Sequence, residues 1–153
     1  MKIWAKNHRG FTLAELVMVV ALIAVLSAMA LPVARFTVKR HKEAELRLAL
    51  RQMRTAIDEY KRMSDQGLIP LTIGGEGYPE ELEDLVEGIE VVGQETKMRF
   101  LRRIPIDPMT HDDWVLRSYQ DDVDATSWGG ENVYDVRTSS EGTALDGTKY
   151  AEW

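Results

Sequence analysis

The sequence predicts an α+β protein in which one long N-terminal helix, first apolar enough for a membrane and then amphipathic, packs its second half on a small antiparallel sheet. Three observations predict it. Residues 11–31 form a run of 21 whose polar members are only Thr12, Glu15 and Ser27, close to the roughly 20 that span a hydrocarbon core. Beyond Pro32, the residues Leu46, Leu50, Met53, Ile57 and Tyr60 recur at spacings of four and three, the stripe of an amphipathic helix. From Gly67 onward, glycine and proline divide the chain into short segments, two of which alternate as strands do.

The helix starts behind Lys2, Lys6 and Arg9, with no acid among the first ten residues, so the positive-inside rule keeps the N-terminus in the cytoplasm and sends the rest across. A cleaved secretory signal shares this start, but its apolar region usually has about 7 to 15 residues. Ser27-Ala28-Met29-Ala30 would pass as its cleavage site, yet more apolar sequence and Pro32 follow. Glu15 is the most informative residue: a carboxylate inside an apolar helix costs about 2.5–3.5 kcal/mol by insertion scales and ordinarily has a cationic partner. Snorkelling to the interface is the plainer alternative. The helix is expected to run from residue 11 to about residue 65, roughly 55 residues and about 80 Å. A bend or local loosening is expected at Pro32 and an end at Gly67 and Pro70. Lys42, Glu43, Arg47, Arg51, Arg54 and Asp58 are expected on its surface, and the stripe reads as a core face, being short for a coiled coil.

In the head, Gly74-Gly75-Glu76-Gly77 reads as a turn, since it lacks the lysine and the strand-to-helix context of a phosphate-binding loop. Tyr78-Pro79-Glu80-Glu81-Leu82 is expected to open a short helix with proline in its first turn, closing at Gly88. Ile104-Pro105-Ile106-Asp107-Pro108 suits extended or turn geometry and no central strand. Residues 114–119 and 132–138 are the expected strands, with Trp114, Leu116 and Ser118 on one core face and Tyr134, Val136 and Thr138 on the other. Asp121, Asp122 and Asp124 read as a solvated loop.

With 153 residues there is room for one small domain plus a helix. Residues 1–60 carry 10 lysines and arginines against 5 acids and residues 61–153 carry 9 against 20, so the net charge of -6 conceals a basic half and an acidic half. An acidic head argues against nucleic-acid binding, which needs clustered positive charge. Cysteine is absent, so the head is held by its core, by subunit contacts or by a metal, not by disulfides. His8, His41 and His111 lie far apart, and with no cysteine nucleophile the pattern points to a structural role and not to an enzyme.

The segment Gly10-Phe11-Thr12-Leu13-Ala14-Glu15 resembles the processing site of class III signal sequences, found in type IV pilins and in the pseudopilins of type II secretion. The resemblance implies cleavage between Gly10 and Phe11 by a prepilin peptidase and N-methylation of Phe11. It divides the chain into a leader at 1–10, a transmembrane assembly helix at 11–34, an amphipathic helix at 35–66 and a periplasmic head at 67–153. A residue without a side chain leaves the backbone accessible at that junction. The freed amine, with a reference pKa of about 7.7–8.0, would be the cation for Glu15. A spacing of four allows that pair within one chain, while the resemblance implies the amine of a neighbouring subunit and a role in filament register.

The order of the head segments resembles the major, G-type pseudopilin: Tyr78-Pro79, then Arg103-Ile104-Pro105-Ile106-Asp107-Pro108, Trp114, and a polar C-terminal loop ending in tryptophan. Met109 and Thr110 stand where that subgroup usually has Trp-Gly after Asp-Pro. The resemblance implies a single-pass protein of the bacterial inner membrane with its C-terminal domain in the periplasm, held in lipid before assembly. It would form a helical homo-oligomer, with minor pseudopilins and the inner-membrane assembly platform as partners. A type IV or competence pilus subunit and a membrane-anchored binding domain that never polymerises remain the alternatives. The subgroup's C-terminal loop is a calcium site, which here implies Ca2+ on Glu141 and Asp146, with Ser139 and Ser140 supplying hydroxyls and carbonyls. Calcium takes about six to eight oxygens, and a solvated turn is the alternative.

Overall fold

A computed structural model describes residues 10–71, 74–93, 96–122, 125 and 127–153. The architecture is α+β: helix α1 (Leu13–Asp65), helix α2 (Asp84–Glu87), strands β1 (Val115–Arg117) and β2 (Asp135–Arg137), and a 3-10 turn at Tyr150–Glu152. The chain divides into two compact units, Met1–Lys39 and Arg40–Trp153, so the amphipathic part of α1 belongs with the head.

In the first unit α1 continues through Pro32, although proline lacks the N–H that would reach the Ala28 carbonyl. Residues 10–28 and 32–38 are all exposed, and the helix is long and apolar enough to cross a membrane. At about 25 cal/mol per Å2 of apolar surface, such a face is costly in water and needs lipid or other helices around it.

In the second unit Leu46, Leu50, Met53, Ile57 and Tyr60 are all buried, as the stripe predicts, and Ala49, Ala56 and Met63 widen it. Each large aliphatic side chain so buried contributes about 1.5–3 kcal/mol. The stripe packs with Leu85, Trp114, Val133 and Val136 of the head. The helix stops where Gly67 takes φ 72°, with the Gly67 N–H on the Ser64 carbonyl at 2.9 Å and the Leu68 N–H on the Met63 carbonyl at 3.1 Å. Those paired bonds close the last turn in a Schellman arrangement.

Strands β1 and β2 are antiparallel, with Val115 opposite Arg137, Leu116 opposite Val136 and Arg117 opposite Asp135. The ladder is shorter than the expected strands at 114–119 and 132–138. Trp114, Ser118, Val136 and Thr138 are buried as expected, but Tyr134 is 39% exposed and Val133 is fully buried. The ladder closes with the Tyr134 N–H on the Arg117 carbonyl, while the Val133 N–H donates to the Pro79 carbonyl at 2.8 Å. The alternation therefore does not extend back through Val133, and Tyr134 joins the rings of Tyr78 and Tyr119 at 5.3 and 5.5 Å.

The short helix begins later than expected. Pro79, Glu80 and Glu81 precede α2, and the Glu80 and Glu81 N–H groups both donate to Asp84 Oδ2 at 3.1 Å, which holds that stretch as a turn. Its end at Gly88 is as expected. There φ is 85°, and a Cβ would lie 2.8 Å from the Met98 carbonyl oxygen, so glycine is required.

Candidate functional site

Two places bring the singled-out residues together. The first is the start of α1. Gly10, Phe11 and Thr12 are not helical, and a Cβ on Gly10 would meet nothing within 4 Å among the described residues. The Gly10–Phe11 peptide is thus open and lies ahead of the helix. Thr12 is the N-cap: the Glu15 N–H donates to Thr12 Oγ1 at 3.2 Å, and the Thr12 N–H donates to Glu15 Oε2 at 3.4 Å. This reciprocal pair is a capping box, which satisfies two of the N–H groups that a helix start leaves open. In the uncut chain Glu15 therefore faces a backbone N–H. The Thr-x-x-Glu spacing carries that signal, and the sequence reading passed over it.

The second place is the C-terminal loop against α1. Glu43, expected on the surface, is buried, and its Oε1 accepts the Leu145 N–H at 2.8 Å and the Tyr150 hydroxyl at 2.9 Å. Burial, and then the Glu43 hydrogen bond, push the Tyr150 hydroxyl up to about 12. One turn on, Arg47 Nη2 reaches Asp146 Oδ2 at 3.2 Å, and its guanidinium lies 4.1 Å from the centroid of the Trp153 ring. Arg54 Nε donates to Asp135 Oδ1 at 2.7 Å, and its Nη2 donates to the carbonyls of Val136 at 3.1 Å and Trp153 at 2.7 Å. One face of α1 thus holds both β2 and the chain end. Glu43 could have been read from the sequence, since it lies three residues before Leu46 in the same stripe.

The residues named for calcium are placed differently. Asp146 Oδ1 accepts the Thr148 N–H at 3.0 Å and the Thr148 hydroxyl at 2.6 Å. These bonds, led by the hydroxyl, hold its carboxyl below the usual carboxylate range. Ser139 Oγ donates to Thr110 Oγ1 at 3.2 Å, Ser140 Oγ accepts the Gly142 N–H at 3.4 Å, and Glu141 is exposed. Among the described residues no three His, Cys, Asp or Glu come together to hold a metal. Asp146, Ser139 and Ser140 thus already have hydrogen-bond partners within the head.

Two further acids act as local fasteners. Asp107 is fully buried and accepts the Met109 N–H at 2.7 Å and the hydroxyls of Thr110 and Thr138. Trp114 Nε1 donates to the adjoining Pro105 carbonyl at 2.7 Å. Asp121, expected to be merely solvated, accepts the Ser118 N–H at 2.7 Å and the Gly129 N–H at 3.2 Å, so it ties the loop between the strands. Asp124 and His8 lie outside the described residues.

In comparison with known families, residues 5–31 fit the model of the prokaryotic N-terminal methylation motif. No curated protein and no solved structure matches the chain. The match covers Gly10, Phe11, Glu15 and the apolar part of α1, so this segment is similar to a type IV pilin-like prepilin leader.

Proposed function

We propose that this chain is a structural subunit of a type II secretion pseudopilus. A prepilin peptidase cuts between Gly10 and Phe11, Phe11 is N-methylated, and the subunit polymerises through α1 into a periplasmic filament that supports export across the outer membrane. The carrying observation is the methylation motif at the head of an exposed apolar helix. The scissile peptide lies outside the helix, where a protease can reach it, and the capping box starts α1 at Leu13. Cleavage makes a cation of the Phe11 amine, which near neutral pH attracts Glu15 more strongly than a neutral N–H does. In a bundle of such helices that amine belongs to the neighbouring subunit, and the pair fixes the stagger between them.

The order of the head segments and the absence of cysteine, which leaves no disulfide-closed loop, favour secretion over a type IV or competence pilus. The proposed role is structural, with minor pseudopilins and the inner-membrane assembly platform as partners. In the native host, Glu15→Val is expected to insert in the membrane, with one costly charge fewer, yet to enter no filament unaided. Normal filaments and normal export by that variant would contradict the register role. Deleting the gene should stop export across the outer membrane and leave surface pili and DNA uptake intact. The opposite outcome would favour the pilus reading.

A further inference from the structure

We propose that the guanidinium of Arg47, in place of a divalent cation, closes the C-terminal loop, so that the head folds without calcium. Asp146 is the loop's central acid, and both of its oxygens are engaged: Oδ1 by Thr148 within the loop and Oδ2 by Arg47 from α1. A metal ion seeking Asp146 would meet the positive charge of Arg47 3.2 Å from that oxygen, and like charges at that range repel. The same guanidinium covers the Trp153 ring at 4.1 Å, a cation–π contact that orients it and joins the loop to the chain end.

Three of the loop's backbone carbonyls are engaged as well. The Thr148 carbonyl accepts the Ala144 N–H at 2.7 Å, the Ala144 carbonyl accepts the Gly147 N–H at 3.1 Å, and the Gly142 carbonyl accepts the Tyr150 N–H at 3.1 Å. Glu43 anchors the same segment through the Leu145 N–H and the Tyr150 hydroxyl. A loop curled by its own hydrogen bonds and bound to one helix by an acid and a base has no need of an ion at its centre. This inference stands apart from the assembly reading, since a calcium-requiring head could still polymerise.

The test uses the full chain in detergent, with thermal unfolding followed by tryptophan fluorescence in millimolar calcium and in chelator. The two curves are expected to coincide, and any reproducible rise of the midpoint with calcium overturns the proposal. A second measurement needs no metal. Asp146→Asn should lower the midpoint in the wild type and lower it less in an Arg47→Met background, because the partner is already gone. Equal losses in both backgrounds would overturn the Arg47 role even if calcium has no effect.

Discussion

Replacing Glu43 by leucine removes the one acceptor shared by the Leu145 N–H and the Tyr150 hydroxyl. A hydrogen bond to a charged group is worth about 1.5–3 kcal/mol, and a buried donor left unpaired carries its full desolvation penalty. Tyr150 is 5% exposed whereas Leu145 is 38% exposed, so water can replace the acceptor at Leu145 and not at Tyr150. Relief of the buried charge offsets part of the loss, which leaves a net destabilisation of about 2–4 kcal/mol. Glu43→Gln keeps an acceptor without its charge and should cost about 1 kcal/mol. Urea unfolding of the detergent-solubilised chain, followed by tryptophan fluorescence, measures both. Tyr150→Phe should cost about 1 kcal/mol in the wild type and less in Glu43→Leu, where the hydroxyl has already lost its bond to Glu43. A Glu43→Leu protein as stable as the wild type, or a Tyr150→Phe cost unchanged between backgrounds, would refute the reasoning.

Gly88→Ala should cost about 1–3 kcal/mol, because alanine strains the positive φ and meets the Met98 carbonyl; the same urea titration reads it, and wild-type stability would mean that the turn can move aside. Alkaline unfolding offers a second check. Burial raises the hydroxyls of Tyr60 and Tyr150 to about 12, while the unfolded chain releases those protons near 10. Their stabilisation is therefore complete below pH 10 and is lost as pH rises toward 12. Midpoints measured from pH 9 to 12 should fall over that window, and Tyr150→Phe should flatten the fall.

The long helix was legible because an apolar run and a three-four stripe are periodic signals that no tertiary contact has to complete. Gly67 and Gly88 were legible as stops for the same local reason. The strand edges were not. Alternation continues on paper through Val133 and Tyr134, but the Val133 N–H is claimed by Pro79, more than fifty residues earlier, a partner no local pattern reveals. The onset of α2 failed similarly: Pro79 and two glutamates look like a first helical turn, yet Asp84 gathers the N–H groups of Glu80 and Glu81 and holds them out of the helix. Glu43 was misplaced because its charge was weighed above its position in the stripe. Asp107 and Asp121 resemble any loop acid until their N–H and hydroxyl donors are seen. The capping box at Thr12 and Glu15 was written in the sequence, but Glu15 was weighed there as the expected partner of the Phe11 amine.

The central claim, that the chain is processed as a pilin-like precursor, is tested most directly by the mass of its N-terminal peptide after extraction from membranes of cells that contain the prepilin peptidase. The account predicts a chain that begins at Phe11 and carries one N-methyl group, with Met1 to Gly10 gone, and an uncut precursor for Gly10→Val. A mature protein that retains Met1, or one that begins after Ala30, would contradict it.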